Sequence, residues 1–391
     1  MQFLSSQRLF CGTSLLVKKS SSSRIAILKI FKTFSSSVIV PASLVKQLRE
    51  QTGAGFVDCQ KALQAENGDL SRAVDFLRKK GLAAAAKKST RIAAQGLISV
   101  TLNEKATSGS IIEINSETDF VARNEHFQDL ARKISLTALS HSEVSNKKLS
   151  TGSDVVKKVS LSARFTEAIN KATALSSLKL TTSTADVTVN TAVTELIAKV
   201  GENIVLRRVH SLHAKEGGLI CAYIHNATSA GLGSIGVLVS LAPKVGKGSS
   251  TSTPSLSSSS SSWTALNDLG KKVAMHIAAA KPQYLSQSDV PEADVERERE
   301  VLKSQALASG KEAKNIDKMI TGRLNKFFAD ICLLDQAFIL SEDGIKVGKL
   351  VEDISTKAGY AVRIDAYSVF AVGEVQPQPT TAASNSTQTS L

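Results

Sequence analysis

The residues whose types and spacing could do chemistry are few. Gly231-Leu232-Gly233-Ser234-Ile235-Gly236 fits G-x-G-x-x-G, the pattern that lets backbone cradle a pyrophosphate at a helix N-terminus. Such a site needs a helix after the glycines and an acid about 20 residues on for the ribose. Here an apolar, strand-like run follows, IGVLVSL, and the acid's place falls in a serine run. The glycines therefore read as a hairpin turn, and no direct nucleotide site is expected. His210 and His213 are three apart, but no HExxH surrounds them. Cys11, Cys59, Cys221 and Cys332 form no CxxC, so neither a zinc site nor a disulfide framework is expected. Cys11 lies in the leader, and the other three read as small buried hydrophobes in a reducing compartment. No P-loop, nucleophile elbow or paired-carboxylate signature is present. The expectation is a binding protein rather than an enzyme, with no cofactor and no metal.

The elements that would position any site follow from periodicity. Residues 41–81 predict three short helices. Ser43 can cap the first, Gly53 and Gly55 break it, Asn67-Gly68 ends the second, and Asp69 can cap a third that Gly81 can end. An Ala/Lys-rich linker spans 82–95. Two related α+β units follow, 96–216 and 217–288 with 331–373. They carry an echo: Gly96-Leu97-Ile98 with Gly218-Leu219-Ile220, Gly109-Ser110-Ile111 with Gly233-Ser234-Ile235, and Leu130–Ile134 with Leu269–Val273. Each unit reads as a strand hairpin followed by a helix. The second carries a Ser-rich insert, 249–262, expected to be disordered. Residues 289–330 predict an antiparallel helical hairpin with Pro291 in its first turn and Gly310 at its bend. Residues 345–372 return to strand-like sequence, and 374–391 reads as a polar, disordered tail. The fold class is α+β.

Charge sharpens the picture. Across 391 residues, 48 Lys and Arg against 35 Asp and Glu leave +13. That excess invites a nucleic-acid partner, but its distribution does not support one. Residues 1–37 hold six bases and no acid; residues 38–95 contribute +5 and residues 96–391 only +2. Aromatics are 5%, so no basic groove with stacking rings is visible. The leader is basic and Ser-rich, with Ile27, Ile30, Phe31 and Phe34 at helical spacing. That is the profile of an organelle transit peptide. No apolar run approaches the ~18–20 residues of a membrane span.

Residues 43–63, SLVKQLREQTGAGFVDCQKAL, resemble the N-terminal signature of the elongation factor Ts family. These are guanine nucleotide exchange factors of elongation factor Tu. Three further motifs follow in order: Glu117-Thr118-Asp119-Phe120-Val121-Ala122-Arg123-Asn124, then Lys199-Val200-Gly201-Glu202-Asn203-Ile204 with Arg207-Arg208, then Met275-His276-Ile277-Ala278 with Lys281-Pro282. The resemblance covers roughly 41–373. It implies a ubiquitin-associated-like three-helix module, a duplicated α+β core and a protruding helical hairpin. With the leader, it points to an organellar form, in the mitochondrial matrix before the plastid. The Ser-rich insert departs from the family's compact members. So does a chain that stops after the last core strand, without the family's terminal partner-binding helix.

The same resemblance assigns site residues. Asp119 and Phe120 would enter the partner's GTPase domain beside its Mg²⁺, supported by Thr118 and Val121. Leu44, Val45, Arg49, Gly53, Gly55, Phe56 and Val57 would lie in or near a second contact, and His225 would lie near the partner. Read without the resemblance, Phe120 is an ordinary core aromatic, Thr118 or Asp119 a helix N-cap, and Leu44, Val45 and Val57 the module's own core. Two rival functions are open at this point. One is a ubiquitin-binding adaptor acting through 41–81. The other is an RNA-binding factor acting through Lys79, Lys80, Lys87, Lys88 and Arg91.

Overall fold

The computed structural model describes residues 40–149, 161–181, 187–244, 261–308 and 313–374. The leader 1–37, Gly310 and most of the Ser-rich insert lie outside them. The chain divides into two compact units, before and after Leu77.

The N-terminal unit is built from helices α1 (Ala42–Thr52), α2 (Phe56–Ala65) and the start of α3 (Leu70–Lys88). Val45, Leu48, Cys59, Ala62, Leu63 and Ala73 form its core. Helix α1 starts one residue before Ser43, with Pro41 at the cap, because the Pro41 carbonyl accepts from Leu44 and Val45. It ends where Gly53 takes a left-handed φ of 65°. The Asp69 carboxylate accepts from the Arg72 N–H at 3.0 Å and so caps α3. Gly81 does not end that helix. The run LAAAAKK is made of strong helix formers, and α3 continues to Lys88. A Cβ at Gly81 would sit 3.3 Å from Ala198 Cβ, so this glycine serves close packing instead.

The second unit holds two antiparallel sheets. The first runs β3 (Ile204–His213), β2 (Ser108–Ser116), β1 (Gln95–Leu102), β5 (Leu232–Gly233). The second runs β4 (Leu219–His225), β6 (Ile235–Pro243), β7 (Val362–Ala371). The order β3-β2-β1 repeats as β7-β6-β4, each a hairpin with a later strand added to its second arm. Ile98, Ile111, Leu212, Ile220, Leu238 and Phe370 form one buried cluster between the sheets. β2 is buried along its whole length.

Helices cover the outer faces. On the first sheet lie α4 (Asp119–Ala122), α5 (Glu125–Leu149), α6 (Leu161–Ser176) and α7 (Val189–Val200). Phe127, Ile134, Val189, Val193 and Ile197 belong to the cluster beneath them. The first α+β repeat, 96–216, therefore carries several helices and a third strand after its hairpin, where one helix was expected. On the second sheet lie α8 (Ser261–Ala280) and α11 (Val347–Lys357). At Gly270 on α8 a Cβ would meet Cys221 Sγ on β4.

Two further expectations shift here. Residues 347–357, read as strand-like, are helical, because Val347, Val351 and Ile354 stand on one face over the second core. Ser261 and Ser262, placed in the insert, begin α8, and the Ser262 hydroxyl donates to the Ala358 carbonyl at 2.8 Å. Between α8 and α11, α9 (Glu292–Ala308) and α10 (Ala313–Ile331) pack through Leu302, Ala306, Ile320 and Leu324. Among the described residues, no helix is long and apolar enough to cross a membrane.

Candidate functional site

The site is a short turn held by a polar clasp. β2 ends at Ser116, whose hydroxyl donates to the Thr118 carbonyl at 2.8 Å. The chain then turns into the four-residue α4. Helix α7 approaches from elsewhere in the sequence and stops at Gly201, whose φ of 81° only glycine adopts freely. That reversal delivers Glu202 and Asn203 to the end of β2.

Glu202 receives Thr118 twice: the Thr118 N–H at 3.0 Å on Oε2 and its hydroxyl at 2.7 Å on Oε1. Hydrogen bonds to an ionised acceptor are the strong ones. The Asn203 N–H donates to Glu117 Oε1 at 2.7 Å, and its side-chain amide donates to the Arg91 carbonyl at 2.8 Å. The Arg91 guanidinium reaches Glu117 at 3.5 Å. Two motifs more than 80 positions apart are thus interlocked.

The clasp decides which side chains are free. Thr118 stands at the N-cap of α4, but its hydroxyl makes no capping bond and goes to Glu202 instead. Val121 and Ala122 are buried in the first core cluster with Phe127, so Val121 anchors the turn and its side chain offers no outward surface. Phe120 is 77% exposed and is therefore not a core aromatic. Asp119 is exposed and pairs with Arg123 at 2.9 Å, one helical turn on. Asn124 accepts from the His126 N–H at 2.9 Å, which caps α5. An aromatic presented this openly on so braced a turn can be pushed into another surface with little loss of conformational entropy.

The remaining expected residues fall in two other places. In the N-terminal unit, Arg49, Gly53 and Gly55 are exposed at the α1–α2 corner. Phe56 and Val57 follow them at 50% and 57% exposure. The Gly53 N–H donates to the Arg49 carbonyl at 2.7 Å, which closes the corner. Val45 is a core residue at 2% exposure, which takes its side chain off any contact surface, and Leu44 is half-buried against the same core. His225 is exposed at the end of β4, with its Nδ1 3.2 Å from the Tyr223 hydroxyl.

Glu117, Glu202, Asn203 and Arg91 carry the clasp, a part the sequence assigned to none of them; Arg91 stood only as a contact of the rival RNA-binding reading. Their only signal was position: Glu117, Glu202 and Asn203 lie in the motifs and Arg91 lies in the linker. The G-x-G-x-x-G stretch is not the bare hairpin turn expected: Leu232-Gly233 is β5, paired with β1, and Ile235-Gly236 opens β6, where a Cβ at Gly236 would meet Ile98 at 2.6 Å. His213 Nδ1 lies 3.1 Å from the Ser108 hydroxyl, and burial holds its pKa below the usual histidine value. No metal-holding cluster occurs among the described residues.

Comparison with known proteins gives the family. Residues 117–374 match the family described as Elongation factor TS. The chain is 39% identical over 335 residues to Elongation factor Ts of Paramagnetospirillum magneticum, covering 86% of this chain and 92% of that one. It is 40% identical over 335 residues to the proteins of the same name from Rhodospirillum centenum and Paracoccus denitrificans, covering 86% of this chain and 93% of each. The matched segment opens at Glu117 and includes both halves of the Thr118–Glu202 pair; Arg91 precedes it. The chain belongs to the elongation factor Ts family.

Proposed function

We propose that the protein is a guanine nucleotide exchange factor for elongation factor Tu, acting in mitochondrial protein synthesis. The observation that carries the reading is Phe120, exposed on a turn braced by Glu202 and by buried Val121. Mg²⁺ in a GTPase bridges the nucleotide phosphates to the protein and offsets their charge. That ion belongs to the partner. An aromatic wedge that shifts the elements around it weakens the nucleotide without touching its base, and Asp119 beside Phe120 adds a carboxylate near the same charges. Nothing covalent is required.

Coupling must be reciprocal. A factor that weakens GDP binding a hundredfold contributes about 2.7 kcal/mol of coupling, and GDP weakens the factor equally. Arriving GTP then drives the factor off, and the cycle turns. The ubiquitin-associated-like module supplies a second contact through Arg49, Gly53, Gly55, Phe56 and Val57. His225 supplies a third from the second sheet. The mitochondrial assignment rests on the acid-free, basic leader of residues 1–37.

The test is release of fluorescent GDP from mitochondrial elongation factor Tu, with and without the protein. Acceleration that saturates with factor concentration and survives moderate salt supports exchange. No acceleration overturns it. Activity that collapses steeply with salt would instead indicate nucleic-acid-like binding.

A further inference from the structure

We infer that Ile92 is a second apolar anchor on the same partner domain that receives Phe120; this rests on the exchange reading above. Ile92 is 86% exposed, more than any other large hydrophobic side chain among the described residues. A lone exposed isoleucine in a loose tether would need no explanation. This one is not loosely tethered. The preceding residue, Arg91, is held at its N–H by the Lys88 carbonyl at 2.9 Å. Its carbonyl is held by the buried Asn203 amide at 2.8 Å, and its guanidinium reaches Glu117.

The dipeptide Glu202-Asn203 therefore holds out both apolar groups. Glu202 grips Thr118, two residues before Phe120, and Asn203 grips Arg91, one residue before Ile92. Glu117 joins the two halves by accepting from the Asn203 N–H. Two exposed apolar side chains fixed on one polar node mark a contact surface. The shared Glu202-Asn203 anchor beside the Phe120 turn commits the occupant: the GTPase domain of the partner, beside the region the wedge enters.

The two residues have different tasks. Phe120 acts by intruding, so its contribution differs between the GDP-bound and nucleotide-free partner. Ile92 lies outside the turn and contacts both states alike, which is uniform binding. Loss of uniform binding raises the half-saturating concentration and leaves the plateau rate unchanged.

The experiment titrates full-length protein against elongation factor Tu loaded with fluorescent GDP, using the parent, Ile92→Ser, Ile92→Leu and Phe120→Ala. Ile92→Ser is expected to raise the half-saturating concentration about tenfold with an unchanged plateau and an unchanged melting temperature. Ile92→Leu should restore the parent curve. Superimposed parent and Ile92→Ser curves overturn the inference, as does a lowered plateau without a shift in half-saturation. If the parent itself gives no stimulation, the exchange reading fails and the inference falls with it. The parent curve alone separates that outcome from failure of Ile92.

Discussion

The Thr118 hydroxyl donates to Glu202 Oε1 at 2.7 Å across 84 positions of chain. This bond ties the chain two residues before the wedge to the end of helix α7, so the aim of Phe120 depends on a carboxylate that does not itself reach outward. Glu202→Ala should therefore lower the plateau of stimulated GDP release about tenfold, since small misplacements of reacting groups carry large rate penalties. It should also cost about 2 kcal/mol of stability, as expected for losing bonds to a charged acceptor. Glu202→Gln keeps one acceptor oxygen and should recover most of the rate. Equal plateaus for all three proteins would show that the clasp does not set the wedge.

The buried carboxylate of Glu113 tests the core beneath the site. Its two oxygens accept from Arg207, Arg208, the Asn115 amide and the Gly373 N–H. Glu374, expected to be free tail, is drawn into the same network through Arg208 at 2.9 Å. Glu113→Ala leaves the buried Arg208 guanidinium with the half-exposed Glu374 as its counter-charge and should cost about 3 kcal/mol in urea unfolding. Glu374→Ala removes a half-exposed partner and should cost less than about 1 kcal/mol.

His276 should make stability depend on pH. Its Nε2–H donates to Gln336 Oε1 at 2.9 Å, and its Nδ1 accepts from the Ile339 N–H at 3.3 Å. Burial disfavours the charged ring, outweighing the bond to Gln336 that favours it, so the pKa lies below its ordinary 6.5. The unfolded chain then binds the proton more readily than the folded one. Stability is complete above about pH 6.5 and falls as pH drops towards the folded-state value. His276→Gln should flatten part of that slope in urea titrations between about pH 7 and pH 5.

Thiol chemistry should report burial. Cys59, Cys221 and Cys332 are free and buried. Burial pushes Cys221 and Cys332 up to about 12, which leaves almost no thiolate at neutral pH. Without residues 1–37, the native protein should show no fast reaction with a disulfide reagent, and denaturant should release all three thiols. Fast reaction of Cys221 in the native state would contradict the packing of Gly270 against it.

Much of this fold was legible because its signals are local. The β1–β2 and β4–β6 hairpins showed as repeated Gly-x-Ile starts, and the helical hairpin showed in the composition of 292–308. β7 showed as strand-like sequence at the end of 345–372, but β3 did not, and neither strand's partner was visible. β3 and β7 join their sheets through pairings such as Ile112↔Val209 and Val239↔Tyr367, which no local pattern announces. Gly81 misled because glycine ends helices and also lets them pack closely, and only the neighbouring Ala198 distinguishes the two. Within the site, Phe120 was legible through resemblance alone, since its chemistry equally suits a core. Glu202 and Asn203 were invisible as a clasp because their partners lie more than 80 residues away.

The central claim is that Phe120 acts as a wedge, and its most direct test is the plateau rate of GDP release at saturating factor. Phe120→Ala removes a ring that is 77% exposed, so melting should change by no more than about 0.5 kcal/mol. The expected result is a plateau lowered at least about tenfold with the fold intact. A Phe120→Ala protein that melts like the parent and releases GDP at the parent plateau would contradict the wedge.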